Sequence, residues 1–152
     1  MADLENVATY FASVYEWESL SVPILEKLTY LAEWGSWFQE DETITCVDWY
    51  RVSRGDAGVG VSDRDVAVFE EVVSLFKKGK IKPVGELELS VEELNLVGQV
   101  NDRFGKMDGY DVLCQTVYSI PPSRGPEEVG EKIDFKATAE RYRAWAEEKV
   151  SA

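Results

Sequence analysis

A chain of 152 residues, 45% apolar and 12% aromatic, is long enough to bury one core without disulfides and too apolar to remain disordered. Its 29 acidic residues against 16 basic ones leave a net charge of −13, which repels phosphate backbones and disfavours nucleic acid as a partner. It has no histidine, which removes Ser-His-Asp and Cys-His catalysis and histidine metal sites together.

No apolar run reaches the ~20 residues that a membrane span needs. Met1-Ala2-Asp3 lacks the character of a signal peptide, so a cytoplasmic protein without a membrane partner is expected. Cys46 and Cys114 are isolated, which predicts buried free thiols rather than a disulfide or a metal site. Lys77, Lys78, Lys80 and Lys82 form the one basic group, at a helix end where the dipole accounts for them.

In chain order, Leu4, Val7, Ala8, Phe11, Val14 and Tyr15 recur at helical spacing, which predicts an amphipathic helix over Asp3 to Trp17. A short connection leads to a second helix that opens at Ser21, with Pro23 in its first turn. Ile24, Leu28, Leu31 and Ala32 form its stripe, and Gly35 is read as the residue that ends it. Trp34, Trp37 and Phe38 crowd that end. Glu40-Asp41-Glu42 is an acidic turn, and Thr43 to Val52, β-branched and aromatic, reads as one strand or a short strand pair. Arg51 to Gly60 is a glycine-bearing loop.

Ser62 starts a third helix with Asp65 in a capping-box arrangement, Val66, Phe69, Val72, Val73 and Phe76 on its buried face, and Gly79 as its stop. Ile81 to Leu89 contains Pro83 and Gly85 and reads as a loop. Ser90 to Glu93 is a stronger capping box, ahead of Leu94, Val97, Val100 and Phe104. Asp108 to Tyr118 is a short helix with Val112, Leu113 and Val117 inward, stopped by Pro121-Pro122. Asp134 caps a last helix with the stripe Phe135, Ala139, Tyr142, Ala146 and Val150. The sum is a mainly α, single domain over residues 1–152, of about six helices with one small β element.

Few constellations carry chemistry. The loop Gly55-Asp-Ala-Gly-Val-Gly60 lacks the Lys-Ser or Lys-Thr pair of a phosphate-binding loop, and Asp56, Asp63 and Asp65 oppose an anion there. Glu92/Glu93 and Glu127/Glu128 are sequence neighbours, so their side chains splay apart. No metal or cofactor is called for. Lys27, in an apolar stretch, is either a pKa-shifted nucleophile or a structural lysine at a helix junction, and no acid or base at catalytic spacing accompanies it. Trp34, Trp37, Trp49, Tyr50, Arg51 and Arg54 are the candidate partner-binding residues, because Trp, Tyr and Arg dominate binding hot spots. The alternative for the Arg51/Arg54 group is a cation–π or ion-pair cluster that stiffens its loop.

The order of these features resembles one family. A first helix with Val7-Ala-Thr-Tyr-Phe11 leads to a capped helix with Lys27-Leu28-Thr29-Tyr30. An aromatic strand with Trp49 and Arg51 follows, then a helix with Val68-Phe-Glu-Glu-Val72. A Leu-Ser-x-Glu-Glu segment (Leu89 to Glu93) precedes a helix ending at Phe104-Gly105, and a short helix runs into Pro121. Over Asp3 to Pro122 the chain resembles the Panacea domain family, the SocA-like antitoxins and phage-associated GepA-type proteins. It has Arg54-Gly55-Asp56-Ala57 where many members carry a Gly-Pro-Val turn.

The resemblance implies a non-enzymatic protein that neutralises a co-encoded toxin by direct binding, in one type by delivering it to a protease as an adaptor. Lys27, Leu28 and Tyr30 would then be structural signature positions. Two other readings stand beside it: a phage or mobile-element protein that binds a host defence factor, and an enzyme that uses Lys27 or an acidic cluster.

Overall fold

The computed structural model describes residues 2–16, 19–53, 58–105, 110–126 and 128–151, of which 111, 150 and 151 are described by backbone alone. These residues form six α-helices, α1 (Leu4–Val14), α2 (Val22–Glu40), α3 (Asp63–Lys77), α4 (Val91–Phe104), α5 (Tyr110–Ser119) and α6 (Phe135–Ser151). A two-stranded antiparallel hairpin, β1 (Tyr50–Arg51) with β2 (Val59–Gly60), completes the mainly α fold expected from the sequence. None of the helices is long and apolar enough to cross a membrane.

Helix α2 packs against each of the other five helices. That position explains a composition that amphipathicity alone does not. Leu25, Leu28, Tyr30 and Ala32 are almost fully buried, but so are Glu26, Lys27, Thr29, Glu33 and Ser36. Over residues 25–33 the helix is surrounded on all sides and has no solvent face on which to place its polar residues. Full burial of a Leu-sized side chain stabilises by roughly 1.5–3 kcal/mol, so the apolar set offsets the cost of ordering and desolvating the polar one.

Gly35 does not end α2. The helix runs on to Glu40, and its C-cap is Asp41, at φ 55°. Gly35 instead lies where α4 crosses: a Cβ there would sit 3.1 Å from Leu96 Cδ1. Close helix approach, rather than chain reversal, accounts for that glycine. Arg143 of α6 supplies the cation that α2 lacks in its own last turn. Its Nη1 donates to the carbonyls of Trp37 and Phe38 at 3.3 and 3.2 Å, and its Nη2 pairs with Asp41 at 3.1 Å.

Of the segment expected to be a strand, only Tyr50–Arg51 is one, in register with Gly60 and Val59. Residues 130–133 flank its other side, through the Tyr50↔Lys132 bridge, Arg51 N–H to the Glu131 carbonyl (2.9 Å) and Ile133 N–H to the Trp49 carbonyl (2.8 Å). Thr43 to Thr45 turn back onto α2, held by Glu33. The Glu33 carboxylate accepts from Thr43 Oγ1 (2.8 and 3.0 Å), Ile44 N–H (3.0 Å) and Thr45 Oγ1 (2.6 Å).

Of the caps read from the sequence, those at Ser62, Ser90 and Asp134 form, whereas Asp3 and Ser21 stand at the N-cap positions of α1 and α2 without a side-chain cap hydrogen bond. Ser62 accepts from Asp65 N–H, and Ser90 with Glu93 makes the reciprocal capping box. Asp134 Oδ1 accepts from Ala137 N–H at 3.0 Å at the start of α6. Val112 and Tyr142 depart from their expected inward positions: they are 43% and 39% exposed. Cys114 is buried as expected, whereas Cys46 is exposed, on a backbone with φ 61°.

Candidate functional site

The last two turns of α2, residues 34–40, create the surface of greatest interest. They carry Trp34 and Phe38, four residues apart and therefore on one face, with ring centroids 5.8 Å apart. Helix α6 passes alongside and adds Tyr142, whose ring lies 6.3 Å from Trp34 and 5.4 Å from Phe38. Trp145, 5.7 Å from Tyr142, extends the run to four aromatics and is 52% exposed. Lys149 covers part of its ring at 5.6 Å. Arg143 anchors α6 to the α2 carbonyls, and that fixes the two helices in the geometry that brings the rings together.

A groove of about 340 Å³ opens beside this run. One wall includes Trp34, Gly35 and Phe38, another Leu96, Val100 and Arg103 of α4, and a third Ile120, Pro121 and Tyr142. The volume lies in the range of pockets that accept small ligands or a few apolar side chains. It is largely apolar, with Gln39, Gln99 and Arg103 as polar members.

A second hollow, of about 430 Å³, lies at the start of α6 and is lined by Trp37, Cys46, Asp48, Trp49, Lys132 and Lys136 among others. Lys132 pairs with Asp48 across it at 3.0 Å, and that contact holds the lysine's pKa above its ordinary value. Two carboxylates and two lysines share its lining, so it has no dominant sign.

The six candidate contact residues do not form one patch. Trp34 lies in the aromatic groove, and Trp37, half-buried, lines the second hollow. Trp49 is 1% exposed, and its indole packs edge-on against Tyr30 at 5.1 Å, so it belongs to the core rather than to a contact surface. Its Nε1 has no acceptor among the described residues. Tyr50 is half-buried in the hairpin. Arg51 is half-buried too, and donates to the Pro126 carbonyl at 2.7 Å in place of a cation–π contact. Arg54 lies outside the described residues.

Lys27, Leu28 and Tyr30 are all buried. The Lys27 amine donates to Tyr110 Oη at 2.9 Å and lies 4.8 Å from that ring's centroid, which ties α2 to the start of α5. Tyr30 exchanges a 2.8 Å hydrogen bond with Ser123 and contacts Phe135, and burial pushes its phenol well above the ordinary value. Its hydroxyl thus links α2 to the turn after α5. No group of His, Cys, Asp and Glu suited to a metal ion occurs among the described residues.

Arg143, Tyr142, Trp145 and the buried Glu33 were not singled out from the sequence as site residues. Trp145 had left a signal, because a tryptophan outside the apolar stripe of α6 has no place in the core. Glu33 leaves none, since an acid beside an apolar helical stripe is ordinarily solvated. In comparison with known proteins, the chain matches no protein-family model, no curated protein and no solved structure.

Proposed function

We propose that the chain is a non-enzymatic protein-binding domain of the antitoxin type, which neutralises a protein partner by direct contact. The observation that carries the reading is the run Trp34–Phe38–Tyr142–Trp145, which leaves large aromatics at the surface beside an apolar groove. Aromatic anchors next to a pocket are the usual composition of a binding hot spot. The net charge of −13 adds long-range steering toward a basic surface on the partner. The resemblance to SocA-like antitoxins supplies the toxin as the expected partner, in a delivery role where an adaptor is used. A phage or mobile-element protein directed at a host factor would use the same surface.

The enzyme reading has less support. The Lys27 amine is engaged by Tyr110, with its chain buried in the helix packing, which suits a structural role. The test is co-expression with the products of the flanking genes, followed by co-purification and a growth assay. A stable complex together with relief of toxicity is the expected result. Neither complex nor rescue with any flanking product would overturn the reading.

A further inference from the structure

The aromatic groove does not end at Tyr142. A shallow shelf shares Pro121 and Tyr142 with it and continues past Arg124 and Arg141. Among the described residues, the two hollows together are lined by Arg103, Arg124 and Arg141 and by no carboxylate. That local sign runs against the whole chain, in which acids outnumber bases 29 to 16. The three arginines are exposed, and none makes a hydrogen bond or ion pair among the described residues. Arg143 makes the contrast, since its guanidinium is committed to α2. Burial, and after it the charge of Asp102, raises the pKa of Tyr10 on α1, so the acid next to Arg103 in the chain acts toward the α1 side of α4.

An apolar groove flanked by uncommitted guanidiniums selects its occupant by charge as well as shape. We propose that it docks an acidic segment of a protein partner, with an aromatic or leucine anchor set between carboxylates. The anchor enters the groove between Trp34 and Val100, and the carboxylates reach Arg103 on one side and Arg124 and Arg141 on the other. The inference rests on the protein-binding reading above and adds the chemistry of the bound segment. It also divides the work of the surface: the acidic remainder steers a basic partner face, and this patch takes an acidic element that the remainder would repel.

The test uses the full chain. A phage-displayed library of random peptides is panned on the wild type, and enriched peptides are measured by fluorescence anisotropy on wild type, Arg103→Glu/Arg141→Glu and Arg103→Gln/Arg141→Gln. These positions are exposed and, among the described residues, unpaired, so circular dichroism should be unchanged. The expected winners carry acids around an aromatic or leucine. They should bind at least about tenfold more weakly to the charge-reversed protein, with an intermediate loss for the Gln variant, and more weakly as salt rises.

Basic or charge-indifferent winners, or no enrichment, overturn the proposal. So does binding of a labelled single-stranded oligothymidine that the reversal abolishes, which would assign the patch to nucleic acid. Self-association in sedimentation velocity that the reversal abolishes would assign it to a second copy. A complex with a flanking gene product that ignores the arginine substitutions overturns this inference alone. Absence of any such complex strikes instead at the binding function.

Discussion

Glu33 and Thr45 are joined by a 2.6 Å hydrogen bond in which the threonine hydroxyl donates to a carboxylate that is 1% exposed. With Thr43 and the Ile44 amide on the same two oxygens, this one side chain holds the 43–45 segment against α2. Truncation to alanine would strand several donors at once, and each orphaned buried polar group costs about 1–3 kcal/mol. Glu33→Ala is therefore expected to lose roughly 2–4 kcal/mol in urea unfolding. Glu33→Gln keeps the volume and one good acceptor, and should lie within about 1 kcal/mol of wild type at neutral pH.

The same carboxylate sets a pH dependence. Burial raises its pKa above the ordinary 4.5, against the opposing pull of the Thr45, Thr43 and Ile44 hydrogen bonds. In the interval between the unfolded and the folded value the native state holds more protons than the unfolded state, so stability falls as pH rises through it. The contribution is fully present below the unfolded value and is lost as pH rises through the folded one. Relative to Glu33→Gln, the wild type should gain stability as pH falls from 7 into that interval. Urea midpoints for both proteins at stepped pH give the difference directly, and a flat difference would contradict the direction of the shift.

The Ser90–Glu93 box tests a feature visible in the sequence. Ser90 Oγ accepts from Glu93 N–H at 3.1 Å, and Glu93 Oε1 accepts from Ser90 N–H at 2.8 Å. Ser90→Ala should cost about 1 kcal/mol and Ser90→Gly only a few tenths, both read as a shift in thermal midpoint.

The features legible in the sequence are those set by local chemistry. Ser62, Ser90 and Asp134 cap helices because a short oxygen-bearing side chain before an apolar stripe has a local use for that oxygen. Features set by distant neighbours were not legible. Gly35 looks like a stop until Leu96 of α4 is seen 3.1 Å from where its Cβ would be. Thr43 to Val52 has strand composition, but Glu33 takes hold of its first part and only Tyr50–Arg51 pairs. The same limit applies to the site. Trp34 was recognisable as an aromatic, while its partner Tyr142 comes from more than a hundred residues away, and nothing local says that Trp49 is core.

Lys27 and Tyr110 make a second asymmetric pair. Lys27→Met preserves much of the chain's length and removes a charge from a site that is 4% exposed, so stability should be unchanged or higher. Tyr110→Phe keeps the ring contact but removes the oxygen that the amine uses, and should cost about 1–3 kcal/mol. A Lys27→Met protein that folds and still captures its partner would remove the best candidate for catalysis. Loss of biological activity in that variant at full stability would favour the enzyme reading instead.

At Gly35 two effects oppose each other. Alanine gains about 1 kcal/mol of helix propensity over glycine in a helix interior. The new methyl meets the flexible end of Leu96, which is able to rotate by the few tenths of an ångström required. Gly35→Ala should therefore change stability by less than about 1 kcal/mol. Gly35→Leu cannot be absorbed in this way, and overpacking at the α2–α4 crossing should cost roughly 1–3 kcal/mol. If Gly35→Leu were neutral in urea unfolding, close approach would not be the reason for glycine at this position.

The aromatic run separates stability from binding along its own length. Trp34 is half-buried where α2, α4 and α6 meet, whereas Trp145 is 52% exposed at the outer end. Removing Trp145 takes little out of the core, so Trp145→Ala should shift stability by no more than about 0.5 kcal/mol. Trp34→Ala opens the packing between three elements and should cost about 3 kcal/mol or more. In a contact surface built around exposed aromatics, the ranking for affinity does not follow the ranking for stability: truncating a hot-spot tryptophan weakens binding by about 2 kcal/mol or more, close to thirtyfold. Trp145→Ala is thus the discriminating variant. Isothermal titration against a captured partner should show that loss at unchanged melting temperature. Wild-type affinity in the same protein would mean that Trp145 lies outside the interface and that the partner engages another face of the domain.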